Sequence, residues 1–275
     1  MTTAAGNTPG LSIRPPFGYN ELQPLQRGDR VLLPHGSTPG FCRGTNAIAL
    51  SWSEFVPAAR DYPLVFAGGS TRRDGAGEEE SVSYAPVAVL GLADAQNLYV
   101  NEQGDWEPGA YVPAFVRRYP FCIARVAVGA TQQPERIVCV DKAYLDPHGI
   151  ALHDAAGAPT PRWQAYEKLL EEYEADIELT TRMCAVLAEL GLFSTFQFQV
   201  LQGSDATFTM QGMHRIDEKK LSDLAPASHK MLVENGLMGR IYAHINSLEN
   251  FGRLCSRAVA RAEREANRKR EGHQR

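Results

Sequence analysis

The apolar positions of this chain change their spacing at Pro161, and the change separates two kinds of structure. Before it, the apolar runs are short: Leu64-Val65-Phe66, Tyr84–Leu92, Asn97–Asn101, Phe121–Ala127 and Arg136–Asp141. They are rich in β-branched and aromatic residues and bounded by turn formers, which predicts strands joined by short links in a mainly antiparallel sheet. After it, Trp163, Tyr166, Leu170, Tyr173, Ile177, Thr180, Cys184 and Leu187 fall at steps of three and four. That spacing predicts one amphipathic helix of about 30 residues, stopped by Gly191. Phe196–Leu201 and Thr207–Ile216 then read as a hairpin around Gln202-Gly203-Ser204-Asp205. Two short helices, 218–224 and 227–234, follow on either side of Pro226. A last helix starts near Leu237, with Ile241, Ile245, Leu248, Cys255 and Val259 on one face.

Within the strand-rich half, one pattern occurs twice. Val56-Pro57-Ala58-Ala59-Arg60-Asp61-Tyr62-Pro63 leads into Leu64-Val65-Phe66, and Val112-Pro113-Ala114-Phe115-Val116-Arg117-Arg118-Tyr119-Pro120 leads into Phe121-Cys122-Ile123-Ala124. A proline suits the first turn of a helix, whereas a second proline drives the residue before it out of the helical region. Each copy therefore predicts a short helix, a Tyr-Pro stop and a buried strand. The first helix has Ser51 or Ser53 available as its cap. The insert between the next two strands, from Gly68-Gly69-Ser70 to Glu78-Glu79-Glu80, reads as a mobile loop.

The fold class that follows is α+β: a mainly antiparallel sheet with short Tyr-Pro-terminated helices, packed on a helical C-terminal half. Residues 1–28, with Pro9, Pro15, Pro16 and Pro24, read as an extended arm. One domain is expected over 29–250, sheet-rich to 155 and helix-rich from 156, with a basic helical extension over 251–275. At 275 residues, 44% apolar and 22% charged, the chain has ample length for a real core.

Charge sharpens the picture only at the end of the chain. From Arg253 onward, eight Arg and Lys stand against three Glu, so the tail is +5 and the remainder −9 within a net charge of −4. A basic tail on an acidic body can meet nucleic acid or anionic lipid, but a solvated helix end is the plainer reading. The five cysteines are scattered without a Cys-x-x-Cys pair, which fits a reducing compartment. Met1 to Gly10 lack the basic start and apolar core of a signal peptide, and no segment approaches the roughly 20 apolar residues of a membrane span. The expectation is a soluble, cytoplasmic protein.

Motifs that carry chemistry are sparse. The seven histidines are widely spaced, and His148 and His153 straddle a turn beside Asp146 and Asp154 without a helical metal-binding interval. His214, between Met213 and Arg215 on a strand, reads as structural. There is no nucleophile elbow, zinc helix, Walker lysine or dinucleotide fingerprint, so neither a metal nor a cofactor is expected. The better candidate is the group Trp106, Tyr111, Arg117, Arg118 and Tyr119, because arginines beside aromatics can hold a carboxylate bidentately. Packing of the same aromatics in a core, with the arginines on a solvated face, is the competing reading.

Several segments together resemble the bacterial SapC family. They are Asn97-Leu98-Tyr99-Val100-Asn101, Gly104-Asp105-Trp106, Gly109-Ala110-Tyr111-Val112-Pro113 and Arg117-Arg118-Tyr119-Pro120-Phe121. Asn46, Glu54-Phe55 before Tyr62-Pro63-Leu64-Val65-Phe66, Val87–Leu92 and Gly212–Leu221 add to the likeness, which covers roughly residues 20 to 250. The Ser70–Ser83 insert and the basic extension after about Phe251 depart from it. The family takes its name from a link with surface-layer protein and its export, and has no agreed catalytic residues or cofactor. Its members accompany outer-membrane receptor systems, oxygenase-like cupins and flavin halogenases, which implies a cytoplasmic partner of such a system. The functional expectation is a non-catalytic peptide- or protein-binding accessory protein. The alternatives are an enzyme acting on a small molecule or peptide carboxylate, and nucleic-acid contact through the tail.

Overall fold

A computed structural model describes residues 14–34, 38–71, 81–126, 135–202 and 205–272. In chain order its strands are β1 (Leu22–Pro24), β2 (Arg30–Val31), β3 (Ala47–Ala49), β4 (Leu64–Thr71), β5 (Ser81–Val89), β6 (Phe121–Val126), β7 (Glu135–Asp141), β8 (Ile150–Ala151), β9 (Phe193–Gln202) and β10 (Asp205–Ile216). Its helices are α1 (Phe55–Ala58), α2 (Ala114–Arg117), α3 (Pro161–Glu189), α4 (Glu218–Ser222), α5 (Pro226–Glu234), α6 (Leu237–Ser247) and α7 (Asn250–Gly272). The fold is α+β with antiparallel sheets and a helical C-terminal half, as the patterning predicts. The described residues fall into two compact units, one from Met1–Pro34 and Arg118–Glu171, the other from His35–Arg117 and Glu172–Arg275.

In the first unit, β1, β7 and β6 form a three-stranded sheet, and β2 pairs with β8. Part of the predicted arm is thus a strand, because Gln23 and its neighbours pair with the Cys139–Asp141 segment. Phe121, Val31, Val140, Leu152, Trp163 and Leu170 make the core, with Phe121 edge-on to Trp163 at 5.0 Å. Burying each large side chain contributes about 1.5–3 kcal/mol. Asp141 is fully buried yet satisfied: Asn20 N (3.0 Å), Tyr119 OH (2.9 Å) and Ala143 N (3.2 Å) all donate to it. His148 lies in an exposed turn closed by Asp146, as expected of that segment, whereas His153 is half-buried and bridges to Pro159.

The second unit is built on a five-stranded sheet of order β3-β5-β4-β10-β9. The C-terminal hairpin therefore joins the sheet of the earlier strands, through Met213↔Ala67 and His214↔Phe66. Gly68 and Gly69 continue β4 rather than starting a loop, and residues 72–80 of the insert lie outside the described residues. The predicted strand at Asn97–Asn101 is instead a chain of turns with one bridge, Val100 to Trp106. The cause is Asn97, whose Oδ1 accepts from Tyr99 N and whose Nδ2 donates to Cys42 O, diverting the backbone from a ladder.

The two Tyr-Pro segments share a design. Each short helix leads through Tyr-Pro into a strand, and each proline carbonyl accepts the first bond from the neighbouring strand, Pro63 O from Val89 N and Pro120 O from Asp141 N, both 2.9 Å. Both tyrosines are buried. They differ in one respect, the cis bond at Tyr119-Pro120. The first segment is further gripped by the α6–α7 region. Leu64 N donates to Ser247 Oγ, His244 Nδ1 donates to Leu64 O, and Asn250 Nδ2 donates to Ala59 O and Tyr62 O.

The final helix of the sequence reading is two helices, α6 and α7, parted at Leu248 and Glu249. Leu237, Ile241, His244, Ser247, Phe251 and Leu254 are the buried face, whereas Val259 is exposed. Here the apolar stripe misleads because a buried histidine and serine replace apolar residues at the contact. Among the described residues, no helix is long and apolar enough to cross a membrane.

Candidate functional site

The five residues singled out in the sequence divide between the two units. Arg118 and Tyr119 belong to the first unit, and Trp106, Tyr111 and Arg117 to the second. Arg118 is buried with its guanidinium over the Tyr19 ring at 5.7 Å. Tyr119 is held by Asp141; burial, Tyr144 and Asp141 push its phenol well above the usual range. Trp106 is core, packed edge-on to Tyr62 and donating Nε1–H to the Tyr62 hydroxyl at 3.0 Å.

Tyr111 and Arg117 do come together. Arg117 Nη2 donates to Tyr111 OH (3.3 Å), its Nε donates to Val112 O (3.0 Å), and its guanidinium lies 5.9 Å from the Tyr111 ring. The Tyr111 hydroxyl in turn donates to Glu54 Oε1 at 3.1 Å. Burial and the Glu54 charge, opposed by Arg117, push the Tyr111 phenol up to about 12. Glu54 is fully buried and also accepts from Ala114 N (2.6 Å), Ser51 N (2.8 Å) and Ser51 Oγ (2.8 Å). The cluster is thus the exposed end of a buried carboxylate node that fixes the start of α2.

A groove lies elsewhere in the second unit. It has a volume of about 440 Å³, and its walls are the 98–108 segment and the Arg257–Arg268 stretch of α7. Gly104, with φ of +94°, makes the turn at its rim, a conformation that side chains with a Cβ rarely adopt. Arg257 grips Glu107 with both terminal nitrogens, Nη2 to Oε1 at 3.0 Å, and stacks on Tyr99 at 4.4 Å. Arg261 Nη1 donates to Asn97 O at 2.7 Å, and Arg268 pairs with Glu102. Burial, against the pull of Arg257, pushes the Tyr99 phenol up to about 12, and the bond from Arg268 lowers the Glu102 carboxyl. Arg264 differs from its neighbours: among the described residues its bond is Nε to Ala260 O, with no ion pair.

This site was half-legible. Arginines at 257, 261, 264 and 268 recur at helical steps and so share a face of α7. The acidic partners of Arg257 and Arg268, Glu107 and Glu102, sit 150 and 166 residues earlier in the chain, so charge along the tail does not reveal these pairings.

The SapC family model matches residues 31–254. The chain belongs to the SapC family. No curated protein and no solved structure matches it. The SapC match takes in Glu54, Tyr62, Trp106, Tyr111 and the 98–108 wall of the groove, whereas Arg257, Arg261, Arg264 and Arg268 stand beyond its end.

That second wall is held by charge more than by apolar packing. The Arg257–Glu107 pair is about one-third exposed, and exposed pairs contribute only about 0.2–1 kcal/mol each. In about 1 M salt the screening length falls to about 3 Å. Hydrogen exchange over residues 257–272 should therefore quicken on raising the salt, while that of α6 should not. Equal responses in both helices would show that ion pairs do not hold α7.

Proposed function

We propose that this SapC-family chain is a non-catalytic accessory protein of the cytoplasm, serving a bacterial surface or export/uptake system by binding a peptide or protein partner. The groove between the 98–108 segment and α7 is the binding site in this reading, and an extended segment bearing a carboxylate is the ligand. The observation that carries it is Arg264, a guanidinium on the groove wall that has no acidic partner among the described residues, while Arg257, Arg261 and Arg268 are engaged. A guanidinium presents two parallel donors that match a carboxylate. A groove of about 440 Å³ accommodates a few residues of extended chain. The five free cysteines favour the cytoplasm. Nucleic-acid contact through the tail is disfavoured, because phosphates would compete with Glu102 and Glu107 for the same arginines.

The test is fluorescence anisotropy with a pool of labelled peptides ending in Asp or Glu, alongside their amidated counterparts. Arg264→Ala should weaken binding about tenfold or more, the scale of one charge-assisted bond, without changing the melting temperature. If no acidic peptide binds, or Arg264→Ala binds as well as the unaltered chain, the reading fails.

A further inference from the structure

The first unit holds two of the five cysteines, Cys122 on β6 and Cys139 on β7, while Cys42, Cys184 and Cys255 belong to the second. Strand register sets the two directly opposite one another, between the pairs Phe121↔Val140 and Ile123↔Val138. Residues opposed in this way point to the same face of a sheet, so the two thiols are cross-strand neighbours. Phe121 and Val140 face the core of the unit, which puts the thiols on the other face, where both are fully buried.

The bonding of the ladder fixes how far apart they stand. Asp141 N donates to Pro120 O, so the alternate pairs from there, Cys122 with Cys139 and Ala124 with Ile137, exchange both backbone bonds. In such a pair the Cα atoms are about 5.5 Å apart, inside the window of about 4.4–6.8 Å that a disulfide spans. Cross-strand Cβ atoms lie about 4.5–5.5 Å apart and are widest in bonded pairs, whereas a relaxed disulfide needs about 3.5–4.5 Å. A bond between these sulfurs is thus attainable but strained, and strain makes a disulfide easier to reduce. In the sheet order β1-β7-β6, β6 is the end strand. Its ladder with β7 is loosened toward the far end, where Arg125 stands opposite Arg136, because like charges in register weaken a pair. Opening from that end gives a small oxidant a way in.

We propose that Cys122 and Cys139 form a reversible redox pair, which hydrogen peroxide closes to a disulfide and glutathione reopens. One thiol takes an oxygen from the peroxide, giving a sulfenic acid and one water. The second thiol displaces that oxygen as another water while the S–S bond forms, so the protein loses two hydrogens. Two glutathione thiols return those hydrogens by exchange and leave as oxidised glutathione. Burial pushes the Cys139 thiol up, so the closed ladder keeps it protonated and inert until β6 opens.

Peptide mapping by mass spectrometry, on the full chain before and after hydrogen peroxide, tests this. Trypsin cuts after Arg118, Arg125, Arg136 and Lys142, so each cysteine falls on a peptide of its own. The treated chain should yield peptides 119–125 and 137–142 joined and lighter by two hydrogens, and glutathione should separate them. A chain combining Cys42→Ser, Cys184→Ser and Cys255→Ser should respond alike; should it fail to fold, the peptides of the unaltered chain decide alone. Peptides that stay unjoined in peroxide, a crosslink from either cysteine to Cys255 instead, or one that glutathione leaves intact overturns the proposal.

Discussion

Glu54→Ala should destabilise the second unit by on the order of 4 kcal/mol, the largest effect expected of any single substitution considered. The carboxylate is about 1% exposed and satisfies Ser51 N, Tyr111 OH and Ala114 N, and the Ser51 hydroxyl has Asp176 as a second acceptor. Removing it strands two buried donors, Ser51 N and Ala114 N, at about 1–3 kcal/mol each, and takes the acceptor from the half-buried Tyr111 hydroxyl. That is a large share of the roughly 5–15 kcal/mol by which a domain is stable. Glu54→Gln keeps one acceptor oxygen and so should cost less, about 2 kcal/mol. Chemical denaturation of the three proteins separates these outcomes. A Glu54→Ala protein within about 1 kcal/mol of the original would mean that the freed donors find water, and that the node is not what fixes α2.

The second large effect is acid lability centred on His244. Its ring is fully buried, with Nδ1–H donating to Leu64 O (2.9 Å) and Nε2 accepting from Ile216 N (3.1 Å), so α6 is tied to β4 and β10. Burial, aided by the Arg215 charge and opposed by the Leu64 carbonyl, lowers its pKa from 6.5 to about 4. Above pH 6.5 the imidazole is neutral in both folded and unfolded chains, and both bonds are intact. As pH falls from 6.5 toward 4, the unfolded chain takes up a proton that the folded chain refuses. Stability therefore falls with pH, at about 1.4 kcal/mol per unit, for a loss of about 3 kcal/mol by pH 4. Protonation would also turn the Ile216 N–H toward another N–H. In His244→Gln the amide can accept from Ile216 and donate to Leu64 without titrating, so this part of the acid slope should vanish. Parallel pH profiles for the two proteins would assign the acid lability to other groups.

The elements that were legible in the sequence are those whose signal is local. On α3 the stripe Trp163, Leu170, Tyr173, Thr180, Cys184 and Leu187 is buried as its spacing predicts, because a helix returns every third or fourth residue to one face. The Tyr-Pro echo yields two helix-to-strand corners, because a proline without an N–H stops a helix wherever it falls. Arg117 and Arg118 mark the limit of such reading. Adjacent in sequence and joined in one candidate site, they part at the boundary of the two units, one exposed beside Tyr111 and the other buried over Tyr19.

By itself, then, the chain specified its helices, most of its strands, its two Tyr-Pro corners and its SapC membership, all carried by residue type and short-range spacing. Tertiary structure decided the rest. It joined the late hairpin to the early strands, buried His244 where an apolar residue was expected, and set Arg257 and Arg268 on Glu107 and Glu102. The physical reason is range. Hydrophobic periodicity and proline stereochemistry act within a few residues. The partner of a buried carboxylate or a surface arginine is whichever group the completed fold brings within hydrogen-bonding distance, from anywhere along the chain.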